Sequence, residues 1–291
     1  MTIEHLLLQA MPVNLYLTNR LLAGFTAANN INASGQIVGT YSSSTGNYGF
    51  LYSAGTYTTI GVPGVTQTEA FGINVSGHIV GDYAHKASDG RWKIHGFFYV
   101  NGAYASYDYP FTIDYTAAYG INDADHIVGN YHGSGPGGTR GFLYINGFYV
   151  LIDYPAATQT LPMGINNKDQ ISGTYCTGSG LGSVFHGFLL SGGTYTTTDH
   201  PSATPHTFAN GINNNGQIVG SYSIGSSARG FLYNTNSGTY ANIDFPSAIY
   251  TVPMGINDNG QVVGYYGDSN NRQHGFLYNS TSGAYTTLDV P

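Results

Sequence analysis

The stretch GINNNGQIVGSY, residues 211–222, returns almost unchanged as GINDNGQVVGYY at residues 255–266. The triplet Gly-Ile-Asn also starts at Gly72, Gly120 and Gly164, and Asn30-Ile31-Asn32 is the earliest copy. Successive copies lie 42, 48, 44, 47 and 44 residues apart. After each copy come a turn, a β-rich run such as Gln36 to Tyr41, a loop of variable length and a run such as Gly141 to Tyr144. A last run ends in Asp-x-Pro, as at Asp153 to Pro155. Each repeat therefore carries four β-rich runs, a to d. The a–b links are Asn-x-x-Gly or its Asp variant, and several c–d links are Asn-Gly, as at Asn101-Gly102 and Asn146-Gly147. Both are hairpin chemistry, because Asn and Gly tolerate positive φ. A four-stranded unit of roughly 40–50 residues repeated in tandem is the signature of a propeller. The expected fold is all-β, a six-bladed β-propeller of four-stranded antiparallel blades over residues 25–291. Residues 1–24 form an N-terminal extension, expected as a closing strand over Val13, Leu15 and Leu17 or a short helix over Leu6 to Met11.

Composition agrees with this reading. The 291 residues include 42 glycines and 26 tyrosines, only 8% are charged, and Glu occurs twice, at Glu4 and Glu69. With eight Lys and Arg and a net charge of −7, no basic stripe able to neutralise several phosphates can be assembled, so nucleic acid is not an expected partner. A single cysteine, Cys176, excludes an internal disulfide and a Cys-based zinc cluster. No apolar run approaches a membrane span, and residues 1–24 lack the basic start of a signal peptide, as would a chain whose leader had been removed.

The pattern of Gly-Ile-Asn, Gly-Gln-Ile-Val-Gly and His-Gly-Phe (His95 to Phe97, His186 to Phe188, His274 to Phe276) resembles the bacterial HAF repeats, named for a His-Ala-Phe triplet. The resemblance covers about residues 25–291, with Gly replacing the middle Ala. It implies a secreted or envelope-associated bacterial propeller and supplies no catalytic residue set, so an extracellular or cell-envelope location is expected from it alone.

One recurrent pairing imitates a site. The residue before Gly-Phe is Tyr48, His95, Arg140, His186, Arg229 and His274; the residue before x-Pro is Gly61, Asp108, Asp153, Asp199, Asp244 and Asp289. The one repeat lacking the cation also lacks the acid. Five copies of one ion pair read as a latch on the outer hairpin rather than five active sites.

Function is expected where the copies differ. In a four-stranded blade the b–c and d–a connections share one face, and that is where length and composition diverge. The segment Ala84 to Ile94, read as the longest loop, carries Arg91 and the sole tryptophan, Trp92, suited to stacking on a sugar or aromatic ring. In the a strands Thr26, Thr68, Thr116, Thr160, Thr207 and Thr251 repeat, while the opposite face varies: Phe25, Gln67, Tyr115, Gln159, His206 and Tyr250, then Ala27, Glu69, Ala117, Leu161, Phe208 and Val252. The expected ligand-binding residues are Trp92, Tyr115, Tyr250, Phe208, Gln67, Gln159 and Arg91, taking a carbohydrate or another polar small molecule. If the chain is an enzyme, a hydrolase or lyase, Glu69, His206 and Tyr115 are the catalytic candidates. A purely structural or protein-binding module is a third reading. No cofactor or metal site is expected, although Glu69, Asp114 and an asparagine could hold a calcium ion in the channel.

Overall fold

The computed structural model describes residues 24–110, 112–133 and 138–291. The strand or helix expected over residues 1–24 falls, Gly24 apart, outside the described residues. Among those described there are 24 β-strands, one 3-10 turn at Gly180–Gly182 and no α-helix. The first repeat supplies β1 (Thr26–Ile31), β2 (Ile37–Ser43), β3 (Gly46–Ser53) and β4 (Thr56–Ile60). The second gives β5 (Thr68–Ile73), β6 (Ile79–Lys86), β7 (Trp92–Val100) and β8 (Ala103–Tyr107), the third β9 (Thr112–Ile121), β10 (Ile127–Gly133), β11 (Thr139–Ile145) and β12 (Phe148–Ile152). The fourth gives β13 (Gln159–Ile165), β14 (Ile171–Thr177), β15 (Val184–Ser191) and β16 (Thr194–Thr197), the fifth β17 (Thr207–Ile212), β18 (Gln217–Ile224), β19 (Ser227–Asn234) and β20 (Thr239–Ile243). The last supplies β21 (Tyr250–Ile256), β22 (Gln261–Gly267), β23 (Gln273–Asn279) and β24 (Ala284–Leu288).

Within each repeat the strands pair antiparallel with their chain neighbours. The hydrogen-bonded sheets number five rather than the six expected: four have four strands, and one has eight. The eight-stranded sheet arises because β5–β8 and β9–β12 are joined by one parallel pairing, Ile94 with Tyr115. Two local lengths cause it. The β6–β7 hairpin continues to the pair Lys86 and Trp92, and β9 runs for ten residues, so the two meet.

The repeating core is a Gly–Phe cross-strand pair. Phe50, Phe97, Phe142, Phe188, Phe231 and Phe276 are all fully buried. Each sits opposite a b-strand glycine, for example Phe231 opposite Gly220. A Cβ on Gly220 would stand 2.9 Å from the Phe231 ring and collide with the Phe208 carbonyl, so only glycine lets the ring lie on the backbone. Burying each ring contributes about 2–3 kcal/mol.

Neighbouring repeats are tied by a ring of asparagines. Asn32 Nδ2 donates to Asn74 O (2.9 Å), Asn74 to Asn122 O (3.1 Å), Asn122 to Asn166 O (3.1 Å) and Asn166 to Asn213 O (3.0 Å). Asn213 donates to Asn257 O and Asn257 back to Asn32 O, both at 3.0 Å, so the ring closes on itself. The second Nδ2 hydrogen goes to Gln Oε1 four residues on in Asn32, Asn166, Asn213 and Asn257. In five of the six, Asn Oδ1 accepts two backbone N–H groups of its own turn, as from Ser34 and Gln36 at Asn32; Asn74 Oδ1 accepts one, from His78. In those five all four polar positions of the amide are used.

Where the glutamine is replaced by histidine, the next repeat compensates. His78 and His126 stand at the glutamine position, and Asn74 and Asn122 donate instead to Asp125 (2.7 Å) and Asp169 (2.9 Å) of the following repeat. The same carboxylates pair with His78 Nδ1 (2.8 Å) and His126 Nδ1 (2.7 Å). Asp125 and Asp169 take φ of 59° and 55° where Gly35, Gly77, Gly216 and Gly260 stand in the other turns. The left-handed backbone, unfavourable for most side chains but tolerated by Asp, is offset by these bonds.

No described strand crosses the junction between the last repeat and the first. That seam is held by side chains: Asn257 to Asn32 O, Asn259 Nδ2 to Ala33 O (3.2 Å), and a core cluster joining Ala28, Ile31, Ile37 and Phe50 to Val263 and Leu288. Its spacing matches the internal junctions. A Cβ on Gly255 would stand 2.8 Å from Asn30 Cα, and one on Gly211 2.6 Å from Met254 O.

The five latch pairs form as the sequence suggests. His95–Asp108, His186–Asp199 and His274–Asp289 each meet at 2.7 Å, Arg140 pairs with Asp153, and Arg229 approaches Asp244 to 3.9 Å. Half-exposed, such pairs contribute at most about 1 kcal/mol each. The repeated threonines add a further tie. The Oγ1 of Thr68, Thr116, Thr160, Thr207 and Thr251 accepts from the N–H of the residue after the latch position in the preceding repeat.

The seam generates a direct test. Asn257→Ala should lower the free energy of urea unfolding by about 2–4 kcal/mol, since it strands buried donors and acceptors. Asn259→Ala, which removes one exposed bond at the same junction, should cost less than about 1 kcal/mol. Equal effects would show that the ring bond carries no special weight.

Candidate functional site

The six a strands (β1, β5, β9, β13, β17 and β21) end at the asparagine ring. The ring end is repetitive, and a cavity of about 80 Å³ there is lined by residues of the Asn turns such as Asn32, Asn122 and Asn213. The opposite end begins with Phe25, Gln67, Tyr115, Gln159, His206 and Tyr250, so the chemistry differs from copy to copy.

Three of these six residues leave a buried polar atom with no hydrogen-bond partner in the protein: Gln67 Oε1, Gln159 Oε1 and Tyr250 OH. Tyr250 is 4% exposed. Burial, and then the nearby Asp268 charge, push its hydroxyl up to about 12, so it stays protonated and able to donate. The other two polar members are tied down. Tyr115 OH lies 2.9 Å from Tyr119 OH. His206 Nδ1 accepts from the Phe185 N–H at 3.2 Å, with the Phe185 ring edge-on at 5.7 Å. Burial, and then the neighbouring His186, hold His206 below the usual histidine range.

Glu69 lies directly across the β5–β6 ladder from Asp82, and both are buried. Phe208 is half-buried and stacks on Phe185 at 5.6 Å beside Leu161 and Cys176. Glu69 stands on β5 and His206 immediately before β17, three repeats apart. Asp114 is engaged with His132 Nδ1 at 3.2 Å. Among the described residues no group of three or more His, Cys, Asp or Glu could hold a metal ion.

The segment Ala84 to Ile94, read from sequence as a long loop, is mostly an extension of the β6–β7 hairpin. His85 pairs with Lys93 and Lys86 with Trp92, and the tip is closed by Ala87 N–H to Arg91 O (2.8 Å) and Arg91 N–H to Asp89 Oδ1 (2.9 Å). Arg91 is exposed, and Trp92 is 37% exposed. His85 stacks flat on His95 at 4.9 Å, tying the hairpin base to the latch. The hairpin therefore presents Trp92 from a strand.

Sequence alternation missed one set. Every a strand carries a β-bulge at the residue before Gly-Ile-Asn or its first-copy equivalent: Asn29, Phe71, Tyr119, Met163, Asn210 and Met254 are skipped in the a–b register. Bulges re-aim side chains. Here Phe71 stacks on Tyr119 at 4.7 Å, and Asn29 and Asn210 donate to the next repeat's Ala70 O and Pro253 O, each at 2.8 Å. The available signal was the variability of this position beside an otherwise fixed triplet.

Comparison with known proteins supports the class. The structure resembles AofleA from Arthrobotrys oligospora (TM-score 0.59, 14% identity, covering 93% of this chain and 88% of that one). It also resembles the β-propeller domain of the Trilobed protease from Pyrococcus furiosus, described as having an open velcro topology (TM-score 0.52, 10% identity, 91% and 84%). A puromycin hydrolase S511A mutant complexed with PGG matches at TM-score 0.53 and 10% identity over 92% of this chain, which spans only 45% of that chain. Such identities speak to fold alone: the molecule is an all-β, propeller-like module. Residues 189–290, roughly the last third, match the family described as "Protein of unknown function (DUF3466)". No curated protein matches the sequence. No helix among the described residues is long and apolar enough to cross a membrane.

Two buried histidines give a pH prediction. His200 is stacked on Tyr222 at 3.6 Å and accepts from Ser202 N–H through Nδ1; burial holds it, like His206, below its ordinary value of 6.5. The unfolded chain then binds protons that the folded one refuses. Their contribution is complete above about pH 6.5 and is lost as pH falls from there through the lowered folded-state pKa. His200→Phe keeps the stack, since Phe245 fills the equivalent place on Tyr266 at 3.6 Å. The variant should lose less stability than the parent between pH 7.5 and 5.5 in urea titrations, whereas parallel curves would contradict the burial argument.

Proposed function

We propose that residues 25–291 form one closed six-bladed β-propeller that binds a small hydroxyl-rich ligand, a carbohydrate by class, at the variable end of its axis. The blade count rests on the six-membered asparagine ring and on reading the eight-stranded sheet as two blades bridged at Ile94 and Tyr115. One observation carries the binding site: Gln67, Gln159 and Tyr250, equivalent residues of three repeats, each keep a buried polar atom unsatisfied. Buried polar groups are normally paired, and leaving one unpaired costs about 1–3 kcal/mol. Two amide oxygens and a phenol suit the hydroxyls of a polyol. Tyr115 and Phe208 supply apolar surface beside them, and Trp92 with Arg91 forms an outer rim for stacking and for an anionic substituent.

The resemblance to HAF repeats supports placing this ligand outside the cell. An enzymatic reading would take Glu69 as the base and His206, whose Nδ1 is engaged by the Phe185 N–H, as a neutral Nε2–H donor, if a ligand spanned the axis.

A glycan panel followed by titration with Trp92 fluorescence tests the reading. A bound glycan should lose at least tenfold in affinity on Gln67→Leu or Gln159→Leu, while unfolding stability holds or rises because an unpaired polar atom is removed. Unchanged affinity in both variants would refute the site. Turnover of a bound glycan abolished by Glu69→Gln would establish the enzyme.

A further inference from the structure

A second site lies away from the axis, on the outer flank of the second repeat, and is independent of the reading above. In the latch motif Asp-x-Pro, residue x reaches over to the recurrent b-strand tyrosine of the next repeat. In four junctions x is aromatic and lies flat on that tyrosine: Tyr109 on Tyr131 at 3.7 Å, and Tyr154 on Tyr175, His200 on Tyr222 and Phe245 on Tyr266 at 3.6 Å. Interplanar angles are 11°, 3°, 11° and 6°, so the stacking geometry is one built feature of the fold.

At the junction between the first and second repeats x is Val62, and the tyrosine is Tyr83. Among the described residues, no ring covers Tyr83 from that side. A cavity of about 340 Å³ opens there, lined by Val62, Pro63, Tyr83, Phe97, Tyr104 and Ser106 among others. Tyr83 is half-buried, whereas Tyr175, Tyr222 and Tyr266 are buried beneath their partners. At the closing junction Val290 replaces the ring in the same way over Tyr41.

The intact junctions specify what fits. Tyr154 takes the position in the fourth repeat, and its hydroxyl lies 2.9 Å from Thr197 Oγ1, which is also 3.0 Å from Tyr175 OH. Counted back from the latch aspartates Asp108 and Asp199, Ser106 is the counterpart of Thr197. It stands 3.4 Å from Tyr83 OH, and its hydroxyl is exposed at the cavity rim, 3.5 Å from Asp108 Oδ2. A Ser106 hydroxyl donating to Asp108 and accepting from Tyr83 OH keeps one lone pair for an incoming O–H. We propose that this cavity binds a phenolic ring, stacked on Tyr83 between Val62 and Tyr104, with its hydroxyl donating to Ser106 Oγ. The ring arrives from outside, either as a free small phenol or as a tyrosine side chain of another polypeptide, and it takes the place that Tyr154 fills two repeats further on. Stacking and burial of one ring set millimolar affinity for the isolated group.

The test uses the full chain and p-cresol, monitored by backbone amide NMR, with toluene and the tripeptide Gly-Tyr-Gly as comparison probes. p-Cresol should shift the amides around Tyr83, Gly102 and Ser106 saturably. Val62→Tyr should fill the cavity from within, abolish the binding and raise the melting temperature. Ser106→Ala, an exposed change that leaves the fold intact, should erase the preference for p-cresol over toluene and leave toluene binding in place. Tighter binding of Gly-Tyr-Gly than of p-cresol would assign the ring to a polypeptide, and the reverse to a free phenol. Absence of saturable shifts near Tyr83, binding that survives Val62→Tyr, or a p-cresol preference that survives Ser106→Ala would overturn the proposal.

Discussion

A primary amide has two hydrogens and two lone pairs, and at five of six equivalent places this chain uses all of that capacity to hold one repeat to the next, Asn74 Oδ1 accepting once, from the His78 N–H. Asn Oδ1 closes its own turn, one Nδ2 hydrogen locks the side chain to the residue four positions on or to the neighbouring Asp, and the other reaches the next repeat's carbonyl. That carbonyl already accepts from the N–H three residues on, as Asn32 O does from Gly35, so both of its lone pairs are engaged. Aspartate would lack the donors, and glutamine would pay an extra rotor and miss the turn. The bond is worth about 1 kcal/mol net, but stranding its partners costs more.

This constraint divides the axis into two ends with different freedom. At the ring end, inner strands approach so closely that glycine precedes Ile-Asn in five copies, and substitution there would drive a Cβ into the next repeat's backbone. At the other end the strands enter without a shared bonding scheme, and the residues are Phe, Gln, Tyr, Gln, His and Tyr. Rigidity at one end permits divergence at the other. Across the seam, Asn257, Asn259 and the Phe50 cluster join the last repeat to the first. The outer flank obeys the same logic on a smaller scale. A fixed tyrosine waits on every b strand, and the residue that covers it is free to change, with Val62 leaving room that Tyr154 fills.

Much of this was legible in the residues. Hairpin chemistry and repeat length gave four strands per unit, and the joint loss of Tyr48 and Gly61 from the cation–acid pattern identified the latch that the structure realises at His95–Asp108. What escaped was whatever crosses between repeats. The Asn of Gly-Ile-Asn reads locally as a turn former, and its second partner lies some 44 residues away, as for Asn213 and Asn257. The exchange of Gln for His78 and His126, matched by Asp125 and Asp169 one repeat later, was visible only by comparing positions across copies. Period-two alternation cannot show a bulge, so Phe71 and Tyr119 were not placed together. Nor does a polar, Gly-containing segment announce a hairpin, which is how Trp92 came to be read as a loop residue.

Side-chain amide exchange of the asparagines examines the ring most directly. With both Nδ2 hydrogens bonded in a buried setting, the side-chain NH2 signals of Asn32, Asn74, Asn122, Asn166, Asn213 and Asn257 should exchange with solvent orders of magnitude more slowly than that of exposed Asn242. The signal of Asn257, at the seam, should be as protected as that of Asn166. An Asn257 side chain exchanging as fast as Asn242, with the internal five protected, would mean that the repeats form an open arc and that the ring does not close.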